Sequence, residues 1–320
     1  MTCDELTPAG EPTFYFVGVT TAQSSIMHTF PAWAKHLGIP QTIKGIDCKW
    51  HDDPEVYRKV VRFLKEDELS LGALVTTHKL DLLDAARDYF DWLDPYATQL
   101  SEVSSISKRD GKLRGHAKDP ISSGHAFDAI LSGDHLAAHD TEVCLLGAGG
   151  SSLAISIHLM NMPEGKRPAR IHVTNRSEKR LAEMQAIHAK IDCPVPIDYT
   201  LCPTPEENDA VVGTLSEGAL VVNGTGLGKD APGSPLTNDV QFPKNGFAWD
   251  LNYRGDLLFL DQANAQKDAA GLTVHDGWVY FVHGWLSVIS EVFDIEIPSS
   301  GREFQELCDL AANIRKQPKT

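Results

Sequence analysis

A lysine, an aspartate and a glycine-rich turn are the residues whose types and spacing can do chemistry in this chain. Lys79 follows the apolar run Gly72-Ala73-Leu74-Val75-Thr76, and an amine just past a buried strand end is partly desolvated and suited to proton exchange. Asp119 follows the segment Lys112 to His116, also strand-like, and its carboxylate can hold the same substrate hydroxyl. Reversible oxidation of a secondary alcohol needs a hydride acceptor on one face of the carbon and a proton acceptor at its oxygen. Lys79 with Asp119 supplies the second. Taken singly, Lys79 also reads as a solvated lysine at a helix start, and Asp119 as a helix N-cap ahead of Pro120.

The hydride acceptor is indicated by Val143-Cys144-Leu145-Leu146-Gly147-Ala148-Gly149-Gly150-Ser151-Ser152-Leu153-Ala154, an apolar strand running into a glycine turn and a helix. Gly147 allows the tight turn, Ala148 and Gly149 bring backbone close to a pyrophosphate, and Gly150 and Ser151 start a helix whose N–H groups face the phosphates. About thirty residues on, the strand Arg170-Ile171-His172-Val173-Thr174 ends in Asn175-Arg176-Ser177. A dinucleotide fold usually places an acid there for the ribose, whereas a cation with several fixed donors favours a 2′-phosphate. The expected cofactor is therefore NADP. The loop Asn223-Gly224-Thr225-Gly226 after a third strand, together with Tyr253 and Gly277, is assigned to the same cofactor.

Strands and helices must alternate for these residues to meet. Phe14 to Val19, Gln41 to Cys48 and Gly72 to Thr76 read as strands. Helices follow them through Ile26, Phe30, Trp33, Ala34 and Leu37, through Glu55 to Leu64, and through Leu83, Ala86 and Tyr89. Ser101 to Ile106 and Lys112 to His116 predict a hairpin, and Ser123 to Leu131 a connecting helix. The second half predicts strand 143–147, helix 151–161, strand 170–174, helix 177–190, an irregular span from Cys193 to Thr214, strands 219–223 and 247–251, helices 257–270 and 276–292, and an amphipathic tail from Gly301. The fold class is α/β with mostly parallel sheets. Residues 1–121 with 274–320 form a substrate-binding, catalytic domain, and residues 122–273 a Rossmann dinucleotide-binding domain. Ligands gather outside the carboxyl ends of such strands, which selects Gln23, Ser24, Thr76, Thr77 and Tyr253 as substrate contacts.

Composition narrows the partners. The 320 residues suffice for two domains, and 42% hydrophobic with 23% charged residues is a globular balance. A formal charge of −15 argues against nucleic acid. The six cysteines are scattered without metal-ligand spacing and read as reduced thiols, so no metal is expected. No apolar run reaches spanning length and no basic-then-apolar segment opens the chain. The expectation is a cytoplasmic monomer or homodimer acting on a small molecule, away from membranes.

The order of motifs resembles the shikimate and quinate dehydrogenase family. Gly18-x-x-x-x-x-Ser24-x-x-x-His28, Val75-Thr76-x-x-Lys79, Gly115-x-x-x-Asp119, Gly147-Ala148-Gly149-Gly150-x-x-x-Ala154, Asn175-Arg176-Ser177, Asn223-Gly224-Thr225 and Asp250-x-x-Tyr253 follow in the family's sequence, across residues 14 to 298. The resemblance implies a catalytic domain and an NADP domain hinged around a cleft, Lys79 and Asp119 as the catalytic pair, and Asn175, Arg176 and Ser177 on the adenosine phosphate.

The departures cluster at the substrate positions. The family's carboxylate-binding S-x-S reads Ala22-Gln23-Ser24, its N-V-T reads Leu74-Val75-Thr76 with one residue missing ahead of Lys79, and its N-T-D reads Ala117-Lys118-Asp119. Its V-N-T reads Val103-Ser104-Ser105, and a glutamine expected on the late helix gives way to His283 and Gly284. Removing partners for a bound polar group can cost orders of magnitude in discrimination; against the family pattern, Gln23, His78, His116, Lys118 and His283 are the new polar or basic candidates for substrate contact. The reading is an NADP-dependent oxidoreductase of shikimate dehydrogenase type acting on a polyhydroxylated, cyclic alcohol or ketone other than shikimate. A true shikimate or quinate dehydrogenase with compensated contacts, and a silent dinucleotide- or metabolite-binding module, are the alternatives.

Overall fold

The computed structural model describes residues 1–3, 5–131, 133–138, 140–229 and 231–315. The chain divides into two units, residues 1–119 with those from 282 onward, and residues 120–281.

In the first unit the elements run β1 (Thr13–Gly18), α1 (Ile26–Leu37), β2 (Thr42–Asp47), α2 (Pro54–Glu66), β3 (Ser70–Val75), α3 (Lys79–Ala86), β4 (Trp92–Leu93), α4 (Pro95–Leu100), β5 (Ser105–Arg109) and β6 (Lys112–His116). Local chemistry sets several boundaries. Asp53 caps α2 by accepting from the Glu55 N–H, Asp94 caps α4 by accepting from the Ala97 N–H, and each is followed by a proline in the first turn. Gly38, at φ 68°, ends α1.

The sheet order is β2-β1-β3-β5-β6-β4. β1 runs parallel to β2 and β3, β5 is antiparallel to both β3 and β6, and β4 is parallel to β6. β6 therefore points the same way as β3, so the carboxyl ends of both strands and the start of β5 share one edge. Both faces of β1 are covered. Phe14 and Phe16 meet Phe30, Phe293 and Trp285, while Tyr15 meets Phe63. This is why the strand reads as an unbroken apolar run rather than an alternating one.

Beyond β6 come α5 (Asp119–Ile130), α6 (Gly133–Ala138), β7 (Glu142–Leu146), α7 (Gly150–Asn161), β8 (Arg170–Asn175), α8 (Glu178–His188), β9 (Ile197–Leu201), α9 (Pro205–Val212), β10 (Leu220–Asn223), β11 (Phe247–Asp250), α10 (Leu258–Ala270) and β12 (Thr273–His275). α11 (Trp278–Phe293) and α12 (Gly301–Arg315) follow. The second unit's sheet has the order β12-β11-β10-β7-β8-β9 with every pairing parallel. It is the doubly wound order, whose direction of winding reverses between β7 and β10. Val143 and Leu145 of β7 join one apolar layer with Ile155, Leu159 and Trp249, and Cys144 and Leu146 join the other with Val221, Ala248 and Phe259. The α/β class with two mostly parallel sheets is thus as expected.

Some expected elements shift. The hairpin's first strand begins at Ser105, not Ser101, because α4 ends at Ser101 in the left-handed region, φ 52°, and residues 101–104 turn the chain. The span Cys193 to Thr214 is not irregular, for it holds β9 and α9. Its prolines lie outside β9 or at the N-terminus of α9, where they break nothing. α6 and β12 are further elements without a sequence expectation. The tail from Gly301 forms α12, and its last five residues lie outside the described ones. No described helix is long and apolar enough to cross a membrane.

Candidate active site

The shared edge of the first sheet gathers three ionisable side chains. Lys79 opens α3 four residues after Val75, the last paired residue of β3, and Asp119 opens α5 after β6. The Lys79 ammonium donates to the Asp119 carboxylate, with 23% and 19% of the two side chains exposed, so the pair stays open to a small molecule. The main chain ties the two loops together. The Val103 N–H donates to the Lys79 carbonyl at 3.1 Å, and the Ser104 N–H to the His116 carbonyl at 2.9 Å. Glu102, one residue earlier, is 8% exposed. Burial pushes its carboxyl up to about 7, Lys79's charge pulling it down and Asp119's pushing it further up. Sequence reasoning passed over Glu102, since an acid beside an apolar residue carries no motif.

The neighbouring loops have their own supports. The Asp47 carboxylate accepts from the Thr21 N–H at 2.7 Å. On β2, a Cβ at Gly45 would stand 1.9 Å from the Thr21 hydroxyl, so only glycine fits beneath that loop. Gln23 is exposed and Ser24 half-buried. Thr76 is half-buried with its N–H bonded to the Val17 carbonyl at 3.1 Å, and Thr77 is exposed. These four remain accessible for ligand contact.

Three expected substrate residues face elsewhere. His116 is 4% exposed and bonds Ser107 at 3.1 Å, with Glu291 of α11 3.3 Å away. Burial holds its ring down to about 4, against Glu291's opposing charge, so it is neutral. Lys118 binds Glu291 at 2.5 Å and Arg109 binds it at 3.0 Å. Burial pushes the Glu291 carboxyl up, but the Lys118 bond and the charges of Lys118 and Arg109 outweigh it, leaving its pKa below the ordinary value. His283 is 2% exposed and stacks on Phe304 at 4.3 Å. The sequence shows polar residues at strand and helix ends, and the acid and ring that engage them here lie far along the chain.

In the second unit the glycine turn fits a dinucleotide. Gly147 has φ +99°, open to glycine, and its N–H donates to the Thr174 carbonyl at 2.8 Å. The ground at the start of α7 is clear: a Cβ at Gly150 meets nothing within 4 Å, and one at Gly149 meets only the Gly224 carbonyl at 4.0 Å. Ala148 is buried behind the turn and Ser151 lies half-buried in the first helical turn. A pyrophosphate can approach the orphan N–H groups of α7 there. Arg176 is exposed at the end of β8, between half-buried Asn175, whose side chain accepts from the Arg176 N–H, and Ser177, which caps α8. An anion on the adenosine side would find Arg176 extended toward solvent.

The Asn223 side chain is not available to a cofactor. It is fully buried, donates to Asp250 at 3.1 Å and accepts from the Thr225 N–H and hydroxyl, so it shapes the loop. Asp250, also fully buried, is pushed up to about 6 by burial, against the hydrogen bonds from Asn252 and Asn223. The loop then presents Gly224, half-buried, and Gly226, exposed. Tyr253 sits against Trp278 and Phe281, ring centroids 5.5 and 4.9 Å away. Gly277 packs closely, since a Cβ there would stand 2.0 Å from the Leu251 carbonyl.

A doubly wound sheet with a clear glycine turn, and a second α/β sheet holding a lysine–aspartate pair, define a two-unit dehydrogenase class. Shikimate dehydrogenase (NADP(+)) of Symbiobacterium thermophilum is 30% identical over 217 residues, covering 67% of this chain and 68% of that one. Its counterpart from Streptococcus thermophilus is 26% identical over 247 residues, covering 76% and 81%. The chain belongs to the shikimate dehydrogenase family, whose members are alcohol-dehydrogenase-type oxidoreductases. Among solved structures, quinate dehydrogenase from Corynebacterium glutamicum in complex with NAD shares the fold at a TM-score of 0.74 and 16% identity, covering 95% of this chain and 99% of that one. The ligand-free 5-ketofructose reductase of Gluconobacter sp. strain CHM43 shares it at 0.68 and 17%, covering 95% and 99%. No protein-family model matches the chain.

Proposed function

We propose that the chain is an NADP-dependent dehydrogenase that interconverts a secondary alcohol and a ketone on a small, polyhydroxylated, cyclic molecule other than shikimate. The observation that carries this reading is the Lys79–Asp119 contact at the sheet edge, kept while Ala22, Ser104 and Ala117 replace the polar residues the family uses to read its acid. Ser104 is also engaged, its hydroxyl accepting from the Lys118 N–H at 2.7 Å.

The N-terminus of α7 with Gly149, Gly150 and Ser151 would hold the pyrophosphate, and Arg176 the 2′-phosphate. When bound, the nicotinamide supplies the acceptor or donor of hydride. Lys79 does the proton work. In oxidation its amine takes the proton of the substrate hydroxyl as the C–H bond gives up hydride, and in reduction its ammonium returns a proton to the carbonyl oxygen. Asp119 fixes the lysine head and stabilises its charged form. Gln23, Ser24, Thr76 and Thr77 are left to read the remaining hydroxyls.

The test is the change in NADPH absorbance with purified protein against cyclic polyols and their ketones, with shikimate and quinate included. Turnover of a cyclic polyol in preference to shikimate supports the reading. Preferred turnover of shikimate or quinate overturns the substrate assignment, and tight NADPH binding without any turnover overturns the enzymatic one.

A further inference from the structure

Glu102 stands beside the Lys79–Asp119 pair and has no part in the proton transfer described above. We propose that Glu102 sets the charge of the accepted substrate, admitting neutral polyols and excluding molecules that carry a carboxylate; this rests on the dehydrogenase reading above. Three observations place it. The start of β5, the end of β3 and the end of β6 share one sheet edge, and these are the points from which Glu102, Lys79 and Asp119 project. The residue after Glu102 is hydrogen-bonded through its backbone to Lys79. Glu102 itself is 8% exposed, and the charges acting on it are those of Lys79 and Asp119.

The cluster is therefore one base with two acids. Asp119 already matches the lysine's charge, so ionised Glu102 leaves the site with an excess negative charge in a partly desolvated place, where like charges repel strongly. A substrate carboxylate entering there meets repulsion, and Ala22 offers no hydroxyl to offset it. A neutral hydroxyl, in contrast, can donate to the Glu102 oxygens, and a site built around such a bond rejects molecules lacking it. Lys79 and Asp119, on α3 and α5, are the groups whose charges act on Glu102, and as an ion pair those charges offset each other.

Shikimate and its methyl ester share one ring and differ in charge, so they isolate the effect. Calorimetric binding of each, with NADP present, is compared for the wild type, Glu102→Gln and Glu102→Ala at pH 8.5, above the value at which Glu102 ionises. The wild type is expected to bind the ester at least about tenfold more tightly than the acid, and Glu102→Gln to shrink that gap to about twofold by tightening shikimate alone. Glu102→Ala should shrink it as well while weakening the ester, since it also removes the hydroxyl's acceptor. An unchanged gap in both variants, or wild-type preference for the acid, overturns the inference and leaves the dehydrogenase reading intact. If neither compound binds and no cyclic polyol is turned over, the dehydrogenase reading fails and takes this inference with it.

Discussion

Lys118 and Glu291 lie 2.5 Å apart with 16% of each side chain exposed, and that one bond redirects a residue that the sequence points at the substrate. Arg109 reaches the same carboxylate, so Glu291 holds β5, the segment after β6 and α11 to one another inside the first unit. Its removal takes the counter-charge from partly buried Lys118, whereas Arg109 keeps Asp294 at 3.0 Å. Glu291→Gln should lower the unfolding free energy by about 3 kcal/mol, read from urea denaturation. A loss of a few tenths would show that the network adds nothing.

Lys79→Ala should reduce turnover about 10²- to 10⁴-fold, the usual contribution of a positioned proton acceptor, while NADPH binding measured by fluorescence stays as in the wild type. Undiminished turnover would remove Lys79 from the chemistry. A joint loss of turnover and cofactor binding would mean the variant had damaged more than the proton path.

Arg176→Ala should weaken NADP binding about tenfold or more, as expected for a lost charge-assisted contact to phosphate, and leave NAD binding nearly unchanged. Equal losses for the two cofactors would refute the 2′-phosphate assignment.

His188 gives a pH prediction whose sign can be worked out. Its ring bonds Ser156 and Tyr199 at 2.7 Å each, and burial holds its pKa down from 6.5 to about 4. Above pH 6.5 the ring is neutral folded and unfolded, so its contribution is constant. As pH falls from 6.5 toward 4 the unfolded chain takes up a proton that the fold refuses, and stability drops by up to about 3 kcal/mol. The difference in stability between wild type and His188→Gln should shrink across that window, followed by urea titrations at several pH values. A constant difference would show that the ring is protonated in the fold as readily as outside it.

Much of the frame was legible because its signals are local. The glycine turn at Gly147, the apolar strands and Asp53-Pro54 each sit within a few residues of what they specify. β9 and α9 escaped because four prolines cluster between 194 and 205, yet Thr204 and Glu207 form a capping box that marks the start of α9. The site was less legible. Lys79 and Asp119 could be named, but the true partners of His116, Lys118 and His283 are Glu291 and Phe304, which no spacing links to them. Glu102 has significance only once the hairpin brings it to the edge where β3 and β6 end.

The indole N–H of Trp33, a buried residue of α1, donates to the Leu307 carbonyl of α12 at 2.8 Å. Residues 120–281 form a contiguous unit, whereas the sheet carrying Lys79 receives part of its cover from α11 and α12. During synthesis the dinucleotide-type sheet is therefore entirely out of the ribosome while the catalytic sheet still lacks Phe293 and Leu307. The sheet that is made first is thus the one whose covering helices are made last.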